Sequence, residues 1–221
     1  MIFILILALI TSSNVMGRNP LPSSRFEQLS GVTKSKDIKH NWDKKFNMNT
    51  YVFGKSPAQF LSENVNYISS KSTVLDMGMG EGRNAVYLAE QGHSVTGIDI
   101  SSVASKKALM LAKERNVNIK TIVADLKTYD FKPDSFDVIL CFYYVDRSLN
   151  NKIYKWLKPG GLLIYESYTT SQLKVKGHEK TDTSYLLKPQ ELLTLFPKMR
   201  VLKYEEPLQE KDFRASVILK K

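Results

Sequence analysis

Val74-Leu75-Asp76-Met77-Gly78-Met79-Gly80-Glu81-Gly82 decides the fold: an apolar strand closing on an acid runs into a turn with glycine at every second position. Glycine permits positive φ and lets a ligand approach the backbone with no Cβ in the way. Three alternate glycines therefore describe a loop moulded around something. A tight strand-to-helix turn without a ligand uses the same residues, so the turn alone leaves both readings open.

Outward from this turn the chain alternates regularly. The apolar positions 58, 60, 61, 65 and 68 predict a helix over 56–68, opened by Ser56-Pro57. The first strand covers 73–77, and a helix over 83–91 ends at Gly92. A strand over 95–100 leads to a helix capped by Ser101 or Ser102, with Ala104, Ala108, Leu111 and Ala112 on one face. Strands follow over 119–124 and 136–142. Next come a helix over 149–157 closed by Lys158-Pro159-Gly160-Gly161 and a strand over 162–168. A helix over 189–196 precedes the last strands, over 200–205 and 215–220. Strand and helix alternate without internal repeats, which predicts an α/β, doubly wound, Rossmann-like sheet of seven mainly parallel strands covered on both faces. The last two strands have no helix between them and are expected to pair as an antiparallel C-terminal hairpin.

The chain of 221 residues, 43% hydrophobic, suits one domain with a proper core and is too short for two large ones. Lysine and arginine exceed aspartate and glutamate by 32 − 22 = +10. The lysines are spread along the chain and do not form a run, so the charge reads first as a solubility feature. Cys141 is the only cysteine, which excludes an intramolecular disulfide and a cysteine metal cluster. No metal site is expected. Residues 2–10 form an apolar run too short to span a bilayer, with no Lys or Arg before it. Three readings of residues 1–17 stand open: a cleaved export signal, an uncleaved surface anchor giving weak membrane association, or an extension ahead of Met16. Residues 18–40 read as a flexible arm, and the domain is expected over 41–221.

The ligand of the turn is narrowed by three acids. Asp99 ends the second strand 21 residues after Gly78, where a doubly wound fold places an acceptor for ribose hydroxyls. A dinucleotide fingerprint needs a small residue at the sixth position from Gly78, and Arg83 stands there instead. An acid before the glycines fits a ligand without phosphate that bears an ammonium and a carboxylate. Asp125, just after the third strand, can accept from an exocyclic adenine amine while the amide of Leu126 meets a ring nitrogen; it also suits a turn cap.

The order and spacing of Asp76, the three glycines, Asp99, Asp125 and Pro159-Gly160-Gly161 resemble the class I S-adenosylmethionine-dependent methyltransferases over residues 73–168. Trp42-Asp-x-x-Phe46, Tyr51-Val-Phe-Gly54, Pro57-x-x-Phe60-Leu61, Gly82-Arg83-Asn84 and Tyr87-Leu88-Ala89 look like the tellurite-resistance and thiopurine type of small-molecule methyltransferase. Glu166-Ser-Tyr168 through Gln172, Leu173 and the 189–193 segment share that likeness. Met77, Met79 and Lys188 depart from the pattern. The resemblance implies S-adenosylmethionine as cofactor, held by Trp42, Tyr51, Phe53, Asp76, Gly78, Gly80, Gly82, Asn84, Asp99, Ile100, Asp125, Leu126 and Phe142. Trp42, Tyr51 and Phe53 would shield its methionine end, and ordinary packing against the sheet remains open for Trp42.

Methyl transfer from a sulfonium is an in-line displacement in which alignment supplies much of the acceleration. Soft acceptors need little proton removal, so a dedicated base is optional. The fourth strand ends Cys141-Phe142-Tyr143-Tyr144 and lacks the Asn- or Asp-Pro-Pro of amino-adenine methyltransferases, which argues against nucleic acid as partner. The expected function is methyl transfer to a small-molecule acceptor, a thiol, metalloid or amine, with Tyr143, Tyr144 and Glu166 as the residues at the chemistry. Arg147, Tyr168 and His178 are further polar candidates, His178 reading as a solvated loop residue and Cys141 as core. The alternatives are a protein or RNA methyltransferase and a non-catalytic S-adenosylmethionine-binding protein. A cytoplasmic working site follows from where that cofactor is made, with export not excluded and the oligomeric state open.

Overall fold

The computed structural model describes residues 35–207 and 212–221. The apolar run and most of the expected arm lie outside them. Helix α1 (Ser35–Phe46) comes first, so regular structure begins inside the segment read as a flexible arm. Next stand α2 (Gln59–Glu63), β1 (Thr73–Met77), α3 (Arg83–Glu90), β2 (Ser94–Asp99), α4 (Ser102–Glu114), β3 (Lys120–Val123) and β4 (Phe136–Phe142). Helix α5 (Asn150–Trp156), β5 (Leu157–Tyr168), β6 (Arg200–Glu205) and β7 (Arg214–Lys220) complete the chain.

The strands form one seven-stranded sheet in the order β3-β2-β1-β4-β5-β7-β6. β1 through β5 are parallel, while β7 runs antiparallel between β5 and β6. Successive side chains point to opposite faces, and both faces are buried. Val74, Val138 and Leu140 pack on one side with Leu88 of α3 and Phe60 and Leu61 of α2. Leu75, Met77 and Ile139 pack on the other with Ile153 and Trp156 of α5.

Two expected helices are shorter than their apolar spacing suggests. Over 56–68 the chain makes α2 and then a 3₁₀ turn over Val65–Tyr67, because Asn64 interrupts. Its side-chain amide donates to Phe60 O at 2.7 Å, taking the carbonyl that its own backbone amide would use in a helix. Over 189–196 only a 3₁₀ turn, Glu191–Leu193, forms. Gln190 sits at φ +62°, outside helical space, and Glu191 Oε2 accepts from Lys188 N at 2.6 Å. The helix over 149–157 starts at Asn150 after a 3₁₀ turn, Arg147–Leu149, and residues 158–161 already belong to β5. No described helix is long and apolar enough to cross a membrane.

Candidate active site

After β1 the chain moves outward through β2 and β3, then returns to lay β4 on the other side of β1. The C-terminal ends of β1 and β4 flank the topological switch point, where open α/β sheets leave a crevice. A cavity of about 220 Å³ opens there. Its floor is the glycine turn, with Gly78, Gly80 and Gly82 at φ +62°, +55° and +84°. A Cβ on Gly82 would stand 2.6 Å from Ala108 Cβ, so this glycine serves the packing of the turn against α4. Met79 is accommodated by Gly97 of β2: a Cβ there would come within 1.9 Å of the methionine sulfur. Asp99 closes the turn from the next strand, its two carboxylate oxygens accepting from Gly80 N and Ser101 N, each at 2.8 Å.

Asp76 is the least satisfied charge of the cavity. It is 2% exposed, and its Oδ2 has no hydrogen-bond partner among the described residues. Desolvation raises its pKa from 3.8 to about 7 against the pull of Arg83, and Asp99 nearby adds to the rise. Burial likewise lifts Asp99 to about 6. The folded state keeps a proton on Asp76 that the unfolded chain releases, so its contribution falls as pH rises from about 4 to about 7. We expect the stability difference between Asp76→Asn and the wild type, without ligand, to grow in favour of the variant across that window. Urea denaturation at pH 5 and pH 8 measures it, and a difference that does not change with pH contradicts it.

The outer wall comes from the N-terminal segment. Trp42 stacks on Phe46 with ring centroids 5.4 Å apart, and Phe46 meets Phe53 edge-on at 6.0 Å. Lys45 Nζ lies 4.6 Å from the Trp42 ring centroid. Asp43 docks α1 onto the start of α4, accepting from Ser101 Oγ at 2.7 Å and Val103 N at 3.2 Å and pairing with Lys39. These bonds outweigh desolvation and hold its carboxyl at about 2.

At the end of β4, Tyr143 takes φ +58°, a left-handed conformation that costs a non-glycine residue about 1–3 kcal/mol. Its surroundings fix it there. Its amide donates to Glu166 O at 2.8 Å and its hydroxyl to Glu166 Oε1 at 2.7 Å, while Arg214 Nη1 donates to that hydroxyl at 2.5 Å. Ser216 Oγ donates to Glu166 Oε2 at 2.6 Å, and Arg214 also pairs with Asp212. Burial, with the Glu166 charge beside it, drives the Tyr143 hydroxyl well above the ordinary tyrosine range. Tyr144 is raised for the same first reason.

Of the residues expected at the cofactor and the chemistry, Trp42, Phe53, Asp76, Gly78, Gly80, Asn84, Asp99, Ile100, Asp125, Leu126, Phe142, Tyr143 and Tyr144 line the cavity. Tyr51, Gly82 and Glu166 do not. Tyr51 packs on Val86, Leu111 and Ala112 instead, its hydroxyl donating to Lys107 O at 3.0 Å. Glu166 is fully buried behind Tyr143. Asp125 Oδ1 accepts from Lys127 N at 2.9 Å, so it caps its turn as well as facing the cavity. Asn84 Oδ1 accepts from Ala58 N at 2.8 Å. His178 is buried, contrary to its reading as a solvated residue, and Cys141 is core, its thiol donating to Tyr144 O at 3.1 Å.

Sequence reasoning passed over Ile38, Lys45, Phe46, Arg83 and Tyr185 as lining residues. Positions 38, 42, 45 and 46 repeat at helical spacing, a signal that would have found the α1 face. Arg83 Nη1 donates to Phe53 O at 3.3 Å, and its guanidinium lies 5.5 Å from the Tyr143 ring centroid.

Over 108 residues the chain is 37% identical to phosphoethanolamine N-methyltransferase 1 of Zea mays, covering 44% of this chain and 21% of that protein. Over 149 residues it is 29% identical to the ubiquinone biosynthesis O-methyltransferase of Rickettsia akari, covering 60% of this chain and 57% of that one. The chain thus spans between about a fifth and somewhat over half the length of these curated relatives. The solved structure of TehB from Haemophilus influenzae superposes with a TM-score of 0.63 at 19% identity, over 83% of this chain and 66% of that one, a likeness of fold. Residues 74–161 of this chain match the family model described as Methyltransferase domain.

Proposed function

We propose that the protein transfers a methyl group from S-adenosylmethionine to a small-molecule acceptor with a soft nucleophile, a thiol or metalloid ahead of an amine. The observation that carries the donor is the unpartnered, buried Oδ2 of Asp76 at the switch-point cavity. A ligand ammonium there would supply the missing partner and return the carboxyl to its charged form. Asp99 would take the ribose hydroxyls, Asp125 the adenine amine and the amide of Leu126 a ring nitrogen. Ile100 and Phe142 would pack on the base, and Trp42 and Phe53 would cover the methionine end. Bound there, S-adenosylmethionine supplies an electrophilic methyl on a sulfonium.

The acceptor reading rests on what the wall beside β4 does not offer. The Tyr143 hydroxyl is committed to Glu166 and Arg214, and Tyr144 is far from ionising at neutral pH. Neither suits proton abstraction, which favours nucleophiles that need none removed. Tyr143 and Tyr144 then act as walls that align the acceptor, and Glu166 acts through Tyr143. The names of the maize and rickettsial relatives also point to small acceptors, and the N-terminal aromatic motifs add the tellurite-resistance and thiopurine likeness. Incubating the full chain with methyl-labelled cofactor and a panel of thiols, metalloid oxyanions, amines and halides tests the reading. We expect label in a thiol or metalloid product; label passing only to RNA or protein contradicts it.

A further inference from the structure

The aromatic wall over the cavity is not held by its own segment alone. Residues 47–52 form no helix or strand; Asn47 N donates to Asp43 O and Met48 N to Phe46 O, and the other backbone groups of the strap need further partners. Three carbonyls of this strap, Phe46 O, Met48 O and Thr50 O, accept from one ammonium, Lys107 Nζ of α4, at 3.2, 3.1 and 2.8 Å. The first belongs to the last turn of α1, whose carbonyls lack helical partners. The same ammonium pairs with Glu81, a buried carboxylate between Gly80 and Gly82 of the turn. Glu81 Oε2 in turn accepts from Val52 N at 2.6 Å. One ion pair therefore ties both the strap and the floor of the cavity to α4. Phe46 carries this to the ligand space, its ring within 3.5 Å of where a Cβ on Gly80 would stand.

We propose that Lys107, through Glu81, is a positioning residue for the cofactor wall and sets how long the bound cofactor stays, an inference that rests on the methyl-donor reading above. Without the ammonium, Met48 O and Thr50 O lose their donor, Phe46 O keeps only the Met48 amide at 2.8 Å, and Glu81 is left as an uncompensated buried charge. The strap then opens, and escape of the ligand speeds up more than its entry slows.

The experiment uses the full chain, S-adenosylhomocysteine as probe and stopped-flow kinetics. Tryptophan emission serves as a second readout, because the chain has two tryptophans and Trp156 is fully buried in the core, leaving Trp42 to report on the strap. Lys107→Met is expected to raise the dissociation rate about tenfold and shift Trp42 emission to the red, with Lys107→Arg restoring most of both. Glu81→Gln keeps an acceptor for Val52 N and guards against a misfolded Lys107 variant; it is expected to move both readouts the same way. Folded variants whose dissociation rates stay within about twofold of wild type overturn the proposal, since a merely structural role lowers stability and leaves that rate alone. A wild-type chain that does not bind the probe overturns the methyl-donor reading and this inference with it.

Discussion

Asp76→Asn is expected to weaken S-adenosylhomocysteine binding by about 100-fold while leaving the fold intact. The size follows from the interaction lost: a hydrogen bond to a charged group is worth about 1.5–3 kcal/mol, and about 2.7 kcal/mol is two decades of affinity. The carboxylate is fully enclosed, so water does not screen what the ammonium gains from it. The amide is close in size and keeps an oxygen for the Ala85 backbone hydrogen bond that Asp76 accepts. In the absence of ligand the substitution relieves a desolvated charge, so the variant is expected to be the more stable protein above neutral pH. Loss of binding together with a gain in stability is hard to obtain from general damage. Calorimetric titration paired with urea denaturation measures both, and an unchanged affinity in Asp76→Asn sinks the assignment of the ammonium to this acid.

Glu166→Leu is expected to cost about 3–5 kcal/mol of stability, the size seen when one member of a buried ion pair is removed. Glu166 Oε1 lies 3.4 Å from Arg214 Nη1; Glu166 is fully buried and Arg214 is 2% exposed, so water cannot replace the lost carboxylate, and Asp212 alone is left to Arg214. Both Tyr143 and Ser216 lose their acceptor in the same step. Tyr143, held at φ +58° partly by that carboxylate, is then expected to relax. Ser216→Ala removes one donor and no charge, and should cost only about 1 kcal/mol. Equal effects of the two substitutions, by urea denaturation, contradict the arrangement behind Tyr143.

Much of the fold was legible because its signals are local. β1 and β4 occupy the expected residues, and of the two candidate caps, Ser101 and Ser102, it is Ser101 that accepts from Ala104 N at 3.1 Å. The antiparallel end followed from two strands with no helix between them, and β7 indeed pairs with β6. The shortened helices were not legible, since side-chain competition at Asn64 and a left-handed Gln190 leave the apolar spacing untouched. The acids Asp76, Asp99 and Asp125 could be placed because strand ends converge on a switch point. Glu166 could not be separated from the cavity by sequence: alternation assigns it a face of the sheet but not what stands between it and the ligand. Nor could Glu81 and Lys107 be paired, since their contact depends on how α4 lies across the turn.

The central claim is that the switch-point cavity holds an adenosyl ligand by its amino-acid end. Its most direct measurement is calorimetric titration of the wild-type chain at pH 8, with S-adenosylhomocysteine compared against 5′-methylthioadenosine, which lacks that end, and against NADH. One site per chain is expected for S-adenosylhomocysteine, with binding weaker by about 100-fold for methylthioadenosine and no binding of the dinucleotide. Equal affinity for the two adenosyl compounds, or binding of NADH alone, would contradict it.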